Sequence, residues 1–345
     1  FPYTTLFRSH VAGLLSLLMI LVVGPACGKS ESPSPQASNP PGRWTRIKEE
    51  GRYSFRGQVA EDQDLSGIAC ISDRFGLIGA DESREVQVVE ISRKDKTIRM
   101  RETVSLAQSG DEIDIEAIAA EGNDYYIIGS HGISKKQGEV QGNRYSLFRL
   151  GVDPATGRPT RPLSLERTSL SDILRADPVL GEYFAKPLQL RGVNIEGLAA
   201  RNGRLFVGLR GPNLDGNAFV LEVGANYVFA GKSQPSYTLH RLQMGPGLGV
   251  REIVAVRSGF LLIAGNSASE PSEKYTQSVD YDQDREFLLV YWDGAGSEVH
   301  KIGPIPDVVG KAEAMLVLEE AQDHVTVLVL FDGPRQGRPT IYRLY

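Results

Sequence analysis

The sequence predicts an all-β protein, a five-bladed β-propeller built from four-stranded antiparallel blades. A hairpin pattern recurs five times along the chain, and further alternating segments follow each hairpin. A hydrophobic fraction of 41% over 345 residues is enough for a large folded core. A six-bladed ring with one unrecognised blade is an alternative. A pair of β-sandwiches is a weaker one, because sandwiches do not normally repeat an internal hairpin.

Each repeat consists of a short apolar strand, a tight turn containing Gly, Asn, Ser or Asp, and a second apolar strand. The five hairpins occupy residues 64–81, 114–131, 194–210, 249–266 and 311–332. Their aligned apolar positions are Ile68, Ile118, Leu198, Ile253 and Met315. Third strands follow as EVQVVEI, RYSLFRL, AFVLEV, EFLLVYW and TIYRLY, and four of the five units add a fourth strand. The unit therefore has the size and composition of a propeller blade.

The ring is expected to close through the N-terminal strand. The fifth unit stops after its third strand at Tyr345, and strand-like residues 52–59 precede the first hairpin without a partner. In a closed ring such a strand completes the last blade and removes an exposed edge. The longest gap between repeats contains SLSDILRADPVLGEYF, where Ser169 or Ser171 could cap a short helix. We interpret that stretch as an insertion.

The first 27 residues are expected to lie outside the fold. Residues 1–9 resemble translated sequencing-adapter sequence, and residues 11–23 are apolar and uncharged. As a helix, this apolar stretch would reach about 20 Å, short of the ~30 Å hydrocarbon core, so it predicts a signal peptide. Ala26-Cys27 resembles a bacterial lipobox, although Gly24 and Pro25 depart from that motif, and ordinary cleavage near Ala26 is the alternative.

The domain organisation follows from these segments. Residues 28–42 are a Pro/Ser-rich linker, and residues 43–345 form the propeller. We expect an exported monomer in the periplasm or at the cell surface, touching the membrane only through a lipid on Cys27. A formal net charge of −5 offers no general attraction to nucleic acid. Two cysteines exclude a disulfide-rich scaffold and a four-thiolate zinc site.

The repeats place variable polar residues at equivalent points of the predicted channel. The start of the innermost strand and the end of the second strand lie on the same face, because the two strands are antiparallel. The starting positions hold Ser66, Glu116, Glu196, Arg251 and Glu313, and the ending positions hold Asp81, His131, Arg210, Asn266 and Asp332. Asp64, Asp114 and Asn194 stand just upstream. The sequence therefore predicts a polar ring at one mouth of the channel.

Within this ring we assign candidate roles. His131, Glu196 and Arg210 are the candidate catalytic residues, with His131 as general acid or base and Arg210 as a clamp for carboxylate or phosphate. Four further residues are candidates for ligand binding: Asp81, Arg251, Glu313 and Asp332. Oxygen donors suited to Ca²⁺ are Asp114, Glu116, Asn194 and Asn266. A structural alternative pairs Glu196 or Glu313 with Arg251, and Asp81 with Arg210.

Five passages carry a resemblance to a known family: SGIA (66–69), DIEAIA (114–119), IIGSH (127–131), NIEGLA (194–199) and GLRGP (208–212). Together they resemble an uncharacterised bacterial propeller family of unknown function, from residue 64 to the C-terminus. More distantly, they are similar to the esterase-like domain associated with phytases and to calcium-dependent propellers of the gluconolactonase type. That resemblance implies hydrolysis of phosphate esters or lactones with Ca²⁺ on Glu116, Glu196, Asn194 and Asn266. Arg251 occupies a ring position that such a calcium cage would give to an oxygen donor.

We therefore expect an exported propeller that binds a small polar or anionic ligand at the channel mouth. Metal-assisted or His-assisted hydrolysis of an ester or phosphoester is the enzymatic form of this hypothesis. The alternative is a non-catalytic cell-envelope module that holds a protein or glycan on its loops. A purely structural spacer is a third possibility.

Overall fold

A computed structural model describes residues 44–134, 138–231 and 236–345. The predicted signal segment, Cys27 and the linker of residues 28–42 lie outside these described residues. The strands form five small sheets, each built around a run of antiparallel strands, and the sheets succeed one another along the chain. The predicted five-bladed propeller is confirmed.

The chain enters the ring through two short strands, β1 (Ile47–Arg52) and β2 (Ser54–Arg56). The first blade contains β3 (Leu65–Cys70), β4 (Phe75–Ala80), β5 (Glu85–Ser92) and β6 (Thr97–Ser105). The second contains β7 (Ile115–Glu121), β8 (Asp124–Gly129), β9 (Leu147–Asp153), β10 (Arg158–Pro159) and β11 (Leu165–Thr168). Its outer strand is divided, because β10 and β11 both pair with β9.

The remaining blades are regular four-stranded sheets. The third contains β12 (Asn194–Arg201), β13 (Arg204–Leu214), β14 (Asn217–Gly224) and β15 (Tyr237–Leu242). The fourth contains β16 (Leu248–Val256), β17 (Gly259–Asn266), β18 (Leu288–Trp292) and β19 (His300–Pro304). The fifth contains β20 (Lys311–Glu320), β21 (Val325–Asp332), β22 (Thr340–Leu344) and the N-terminal β1.

The N-terminal closure is present, but not at the predicted residues. β1 pairs antiparallel with β22 and completes the fifth blade, whereas the prediction placed the closing strand at 52–59. Residues 54–56 instead form β2, which adds to β6 of the first blade in parallel. Tyr53 and Phe55 are buried between the first and fifth blades. Their alternation with polar residues is the pattern of a strand, which is why the prediction placed the closing strand there. β1 is an edge strand, and an edge strand needs few apolar residues.

Five hydrophobic clusters lie between consecutive blades and close the ring. Each cluster combines residues from two neighbouring blades, and the cluster around Ile68 and Ala314 joins the first blade to the fifth. Glycine lets the innermost strands approach closely, since a Cβ on Gly67 would lie 2.8 Å from Ile118 Cγ1. A Cβ on Gly197 would lie 3.0 Å from Ile253 N.

The insertion before the third blade contains the predicted short helix, α1 (Ser171–Ala176). Its N-cap is Leu170, which makes no side-chain cap; Ser169 Oγ instead accepts a hydrogen bond of 3.1 Å from Ser171 N. A second helix, α2 (Ala225–Phe229), follows β14, and short 3₁₀ turns occur at Gly142–Tyr145, Leu188–Leu190 and Arg335–Gly337. Across the described residues, none of the helices is long and apolar enough to cross a bilayer.

Candidate functional site

Every blade has a β-bulge on its innermost strand, at the residue predicted for the ring. In the first blade the register passes from Leu65↔Ala80 to Gly67↔Gly79, which leaves Ser66 as the extra residue. The extra residues of the other four blades are Glu116, Glu196, Arg251 and Glu313. A bulge re-aims the side chain of its extra residue. All five are buried, so the ring is one structural position repeated five times.

Arginine joins the carboxylates of the third and fifth blades. Arg251 Nη1 lies 2.8 Å from Glu196 Oε2, and Arg251 Nη2 contacts Glu313 Oε1. Arg210 Nη1 donates to Glu196 Oε1 at 2.8 Å. Burial alone would lower the pKa of Arg251, but the carboxylates of Glu196 and Glu313 raise it above its usual value. The guanidinium therefore stays charged, and the network contains the Glu196 and Glu313 pairings that the structural alternative predicted.

The acidic run of the second blade is held by an arginine that the sequence analysis missed. Arg144 Nη1 donates to Asp114 Oδ2 at 2.6 Å, and Arg144 Nη2 contacts Glu112 Oε1. Arg144 is buried within the 3₁₀ turn that leads into β9. In the first blade the Ser66 hydroxyl donates to the Ile115 carbonyl of the next blade. Both contacts tie neighbouring segments together at the mouth.

A cavity of about 600 Å³ opens at the polar mouth on the side of the third, fourth and fifth blades, and we call it the mouth cavity. The segment between β17 and β18 forms one wall with Ser269, Tyr281 and Phe287. Five cationic side chains line the cavity, namely Arg210, Arg251, Lys274, Arg285 and Lys311, against two acidic ones, Glu270 and Glu273. Glu196 and Glu313 are not among its lining residues, so the cavity surface is more cationic than the ring as a whole.

Two buried polar atoms of the mouth cavity have no hydrogen-bond partner among the described residues. They are Arg251 Nε and Ser269 Oγ. Both residues are more than nine-tenths buried, at 2% and 6% exposure. Buried polar atoms in native proteins are normally paired with protein, water or a ligand. Each of these two atoms therefore keeps a donor that a polar partner could satisfy.

Asn266 lines this cavity and Asp332 contacts its lining residue Lys311, and both side chains bond within the chain. Asn266 Oδ1 accepts hydrogen bonds from Arg285 Nε at 2.9 Å and from Asp282 N at 3.1 Å, which fastens the β17–β18 segment. Asp332 Oδ2 lies 2.5 Å from Lys311 Nζ. Asp81 follows β4 on the first blade, and its amide donates to the Asp64 carbonyl at 3.0 Å. Asp81 is not part of the mouth-cavity lining.

His131 is completely buried and its ring faces backbone groups. His131 Nδ1 lies 2.9 Å from the Gly129 carbonyl, and Nε2 accepts a hydrogen bond of 3.1 Å from Leu170 N. Burial lowers the pKa of His131 to about 4, so the imidazole is neutral. The side chain thereby secures the start of α1 to the second blade. It does not line the mouth cavity, and its predicted role in catalysis gains no support from this geometry.

Two of the four predicted calcium ligands are engaged by arginine side chains. Asp114 pairs with Arg144, and the amide oxygen of Asn266 faces Arg285. In the described part of the chain, no group of three or more His, Cys, Asp or Glu residues is arranged to hold a metal ion. The calcium site stays a prediction.

Glu252 is a buried carboxyl at the channel axis that the sequence analysis also missed. It accepts hydrogen bonds from Ile253 N at 2.7 Å and Leu198 N at 3.4 Å, and the backbone amide of Met315 also interacts with the carboxyl. Burial raises the pKa of Glu252 well above its usual value. The equivalent positions hold Gly67, Ala117, Gly197 and Ala314. The aligned repeats therefore show a single glutamate where the other four have Gly or Ala, and this difference could have identified Glu252 from the sequence.

A family model described as "Protein of unknown function (DUF3616)" matches residues 64–151 and 158–342. No curated protein matches the sequence. Solved structures with remote similarity include that of U3-55K, with 14% identity, a TM-score of 0.37, and coverage of 81% of this chain and 67% of that chain.

Two further structures are similar at the same remote level. One is a protein of unknown function from Bacteroides thetaiotaomicron, with 12% identity, a TM-score of 0.38, and coverage of 86% of this chain and 75% of that one. The other is Kuenenia stuttgartiensis hydrazine synthase, with 10% identity and a TM-score of 0.39. That match covers 80% of this chain and 60% of the hydrazine synthase chain. Similarity at this level carries no argument about function.

Proposed function

The chain belongs to the DUF3616 family of proteins of unknown function, and we propose that it binds a small anionic ligand in the mouth cavity. The observation that carries this proposal is the pair of unpartnered buried atoms, Arg251 Nε and Ser269 Oγ, in a wall rich in cations. Each of these atoms can donate a hydrogen bond to an anionic oxygen. Charge-assisted hydrogen bonds of this kind are the strong ones, and arginine suits planar anions best.

The carboxylates behind the arginines also support the proposal. Glu196 and Glu313 engage the two Nη atoms of Arg251 and hold its side chain in one orientation. Arg210 is held in the same way by Glu196 and by the Ala268 carbonyl, which accepts from Nη2 at 2.8 Å. Side chains fixed before binding lose little conformational freedom when the ligand arrives. The buried ion pairs therefore position the binding groups.

Citrate and inorganic phosphate are the first probes, measured by calorimetric titration of the full chain. Lys311→Glu reverses a cavity charge, and we expect it to weaken binding by about tenfold or more, since one charged hydrogen bond is worth about 1.5–3 kcal/mol. Lys48→Glu, an exposed charge reversal on β1, is the matched control and should change affinity less than about twofold. Equal loss in both variants, or no binding of either probe, would contradict the proposal.

Ser269→Ala tests the unpartnered hydroxyl itself. In the absence of ligand the variant should be as stable as the wild type or up to about 1 kcal/mol more stable, because it removes a buried group without a partner. With citrate bound, its affinity should fall several-fold. A variant that loses stability without ligand and keeps full affinity would show that the hydroxyl is used within the protein.

Binding without turnover is the form of the proposal that this geometry supports best. His131 has both ring nitrogens engaged with the backbone and lies outside the cavity lining. Incubation of the protein with p-nitrophenyl esters and phosphate esters should therefore release no more p-nitrophenol than buffer does. Release that disappears in Glu196→Gln would restore the esterase hypothesis.

We also propose that the protein is exported and anchored through Cys27, with the propeller held away from the membrane by residues 28–42. The support is the sequence of residues 11–27, which lie outside the described residues. In a Gram-negative host, Cys27→Ser should move the protein from the membrane fraction to the soluble fraction. Cys70→Ser is the matched control, because Cys70 packs within the first blade and burial raises its pKa to about 12. An unchanged distribution for Cys27→Ser would contradict the anchor.

A further inference from the structure

A second cavity, of about 510 Å³, lies between the first and second blades, and we call it the rim groove. Its apolar lining consists of Phe75, Val88 and Met100. Val88 is 1% exposed, and the Arg74 guanidinium lies over the Phe75 ring, 5.0 Å from its centroid. Its rim carries the guanidinium groups of Arg74, Arg101 and Arg158. None of these residues lines the mouth cavity, so the groove is a separate feature of the molecule.

An irregularity in β6 creates this combination of charge and apolar surface. The pairing of β5 with β6 passes from Gln87↔Thr103 to Val89↔Met100, so Val88 alone stands opposite Arg101 and Glu102. A bulge of this kind bends the strand and re-aims its side chains. Arg101 and Glu102 both line the groove as a result.

The guanidinium groups around the groove outnumber the carboxylates that partner them. Arg74 and Arg101 both contact the carboxylate of Glu90. Arg158 and Arg161 approach Glu102 at 3.9 Å and 3.7 Å, with their side chains 76% and 75% exposed. Exposed ion pairs at such distances contribute little to stability, so these arginines can exchange their partner at low cost.

The second-blade side of the groove is a short turn with its own internal bonds. Asp153 belongs to this turn, and its carboxylate accepts from Ala155 N at 2.9 Å and from Thr156 Oγ1 at 3.0 Å. Across the turn, a Cβ on Gly157 would lie 2.5 Å from Phe75 Cβ, so the turn packs tightly on the apolar lining. The Asp153 carboxylate is thereby committed to the turn.

We propose that the rim groove binds an acidic peptide segment of a partner protein, with one bulky apolar side chain of that segment packed against the half-buried Phe75 and Met100. The peptide carboxylates replace Glu102 as the partner of Arg158 and Arg161, and they add to Glu90 as partners of Arg74 and Arg101. The whole chain has a formal net charge of −5, whereas the four clustered arginines give this part of the surface an excess of positive charge. Acidic motifs are commonly recognised by arginine clusters, and an apolar anchor in a pocket supplies much of the binding energy.

Nucleic acid fits the groove less well than an acidic peptide. Glu90 and Glu102 stand among the arginines and would repel a continuous phosphate backbone, whereas a peptide can place its carboxylates between them. The apolar lining also accepts a phenylalanine or leucine side chain, which a phosphate backbone does not offer. Anionic lipid vesicles and single-stranded DNA therefore enter the test as competitors.

Fluorescence anisotropy with two labelled heptapeptides, EDEFDED and EDESDED, tests the proposal on the full chain. We expect EDEFDED to bind and EDESDED to bind about tenfold more weakly, because it lacks the apolar anchor. The double variant Arg101→Glu/Arg158→Glu should lose at least about tenfold in affinity for EDEFDED, and added NaCl should weaken wild-type binding. Arg257→Glu/Arg335→Glu, two exposed charge reversals elsewhere, is the matched control and should bind like the wild type.

Three results would overturn the inference. One is equal binding of the two peptides, which would exclude the apolar anchor. Another is equal loss of affinity in the rim-groove variant and the control variant, which would indicate general charge attraction. The third is tighter binding of single-stranded DNA or phosphatidylglycerol vesicles that is lost in Arg101→Glu/Arg158→Glu, which would assign the groove to another class of ligand. Thermal melting of both double variants confirms that each is folded before it is assayed.

Discussion

The two ends of the central channel are built from the same five innermost strands, yet their surfaces have opposite chemistry. At the end where these strands begin, the bulged ring brings together Glu196, Arg251 and Glu313. At the other end, a cavity of about 340 Å³ is lined mainly by apolar residues such as Ile68 and Met315. Glu252 accepts hydrogen bonds between the two ends.

The difference shows how a repeat can carry both a scaffold and a site. After the bulge four of the five innermost strands keep a regular register, and β20 has one further irregularity between Val317 and Glu319. The apolar residues of these strands pack against neighbouring blades in the same way in every repeat. At the bulge the side chain turns toward the channel, so it does not have to pack against a neighbouring blade. Residues there can differ from blade to blade, so a ligand site can form without disturbing the cores.

The largest effect is expected from removing the charge that joins the ring. Arg251→Met leaves Glu196 and Glu313 buried without their shared cation, and we expect a loss of about 3–5 kcal/mol in the free energy of unfolding. Urea denaturation measures it. Adding Glu313→Gln to Arg251→Met should recover much of that loss, because Glu196 keeps Arg210 as its partner. Failure of the double variant to recover would show that the arginine acts mainly through packing.

The apolar end should respond differently to an equivalent truncation. Leu198→Ala removes a fully packed side chain, and the expected loss is about 2–5 kcal/mol from lost burial and the cavity left behind. Its effect should be independent of salt and of pH between 5 and 8, in contrast to Arg251→Met. A salt-dependent loss in Leu198→Ala would remove the distinction between the two ends.

A pH-dependent effect is expected from His131 at the polar end of the second blade. Its pKa is lowered by burial from 6.5 to about 4, so the folded state requires the neutral ring. The stability that His131 contributes is complete above pH 6.5 and is lost as pH falls toward 4, at about 1.4 kcal/mol per pH unit. His131→Asn should flatten this dependence in denaturation measured from pH 7 to pH 4.

Glu252 should show the opposite dependence on pH. Burial raises the pKa of Glu252 in the folded protein. The stability that Glu252 contributes is therefore complete below the pKa that its carboxyl has in the unfolded chain, and it is lost as pH rises above that value. Glu252→Gln should therefore gain stability relative to the wild type between pH 5 and pH 7, by no more than about 1.4 kcal/mol per pH unit. A variant that loses stability equally at both pH values would show that the carboxyl is ionised in the folded protein.

Much of this architecture could be predicted from the sequence because strands and turns repeat. The aligned positions Ile68 and Met315 located the innermost strands, and counting back two residues located the ring. Which ring residues would pair could not be settled, since Glu196 and Glu313 both had the chemistry to bind Arg251. The pairing depends on how closely the blades approach one another, and that is a tertiary property.

Other parts of the site left little or no pattern in the sequence. The mouth cavity depends on the path of the β17–β18 segment, which is fastened by Asn266 and by the ion pair of Arg191 with Asp280. Long irregular connections follow tertiary contacts, not periodicity. Arg144 stood at the start of a predicted strand, where nothing marked it as the partner of Asp114. Glu252, in contrast, interrupted a row of Gly and Ala and was visible in the alignment.

The most direct test of the central claim is a crystal structure of residues 44–345 soaked in selenate, with anomalous scattering used to locate the anion. The account predicts a selenium peak in the mouth cavity, within hydrogen-bond distance of Ser269 Oγ or Arg251 Nε, and none at the apolar end of the channel. A mouth cavity that holds only water while selenate binds elsewhere would contradict the proposed site.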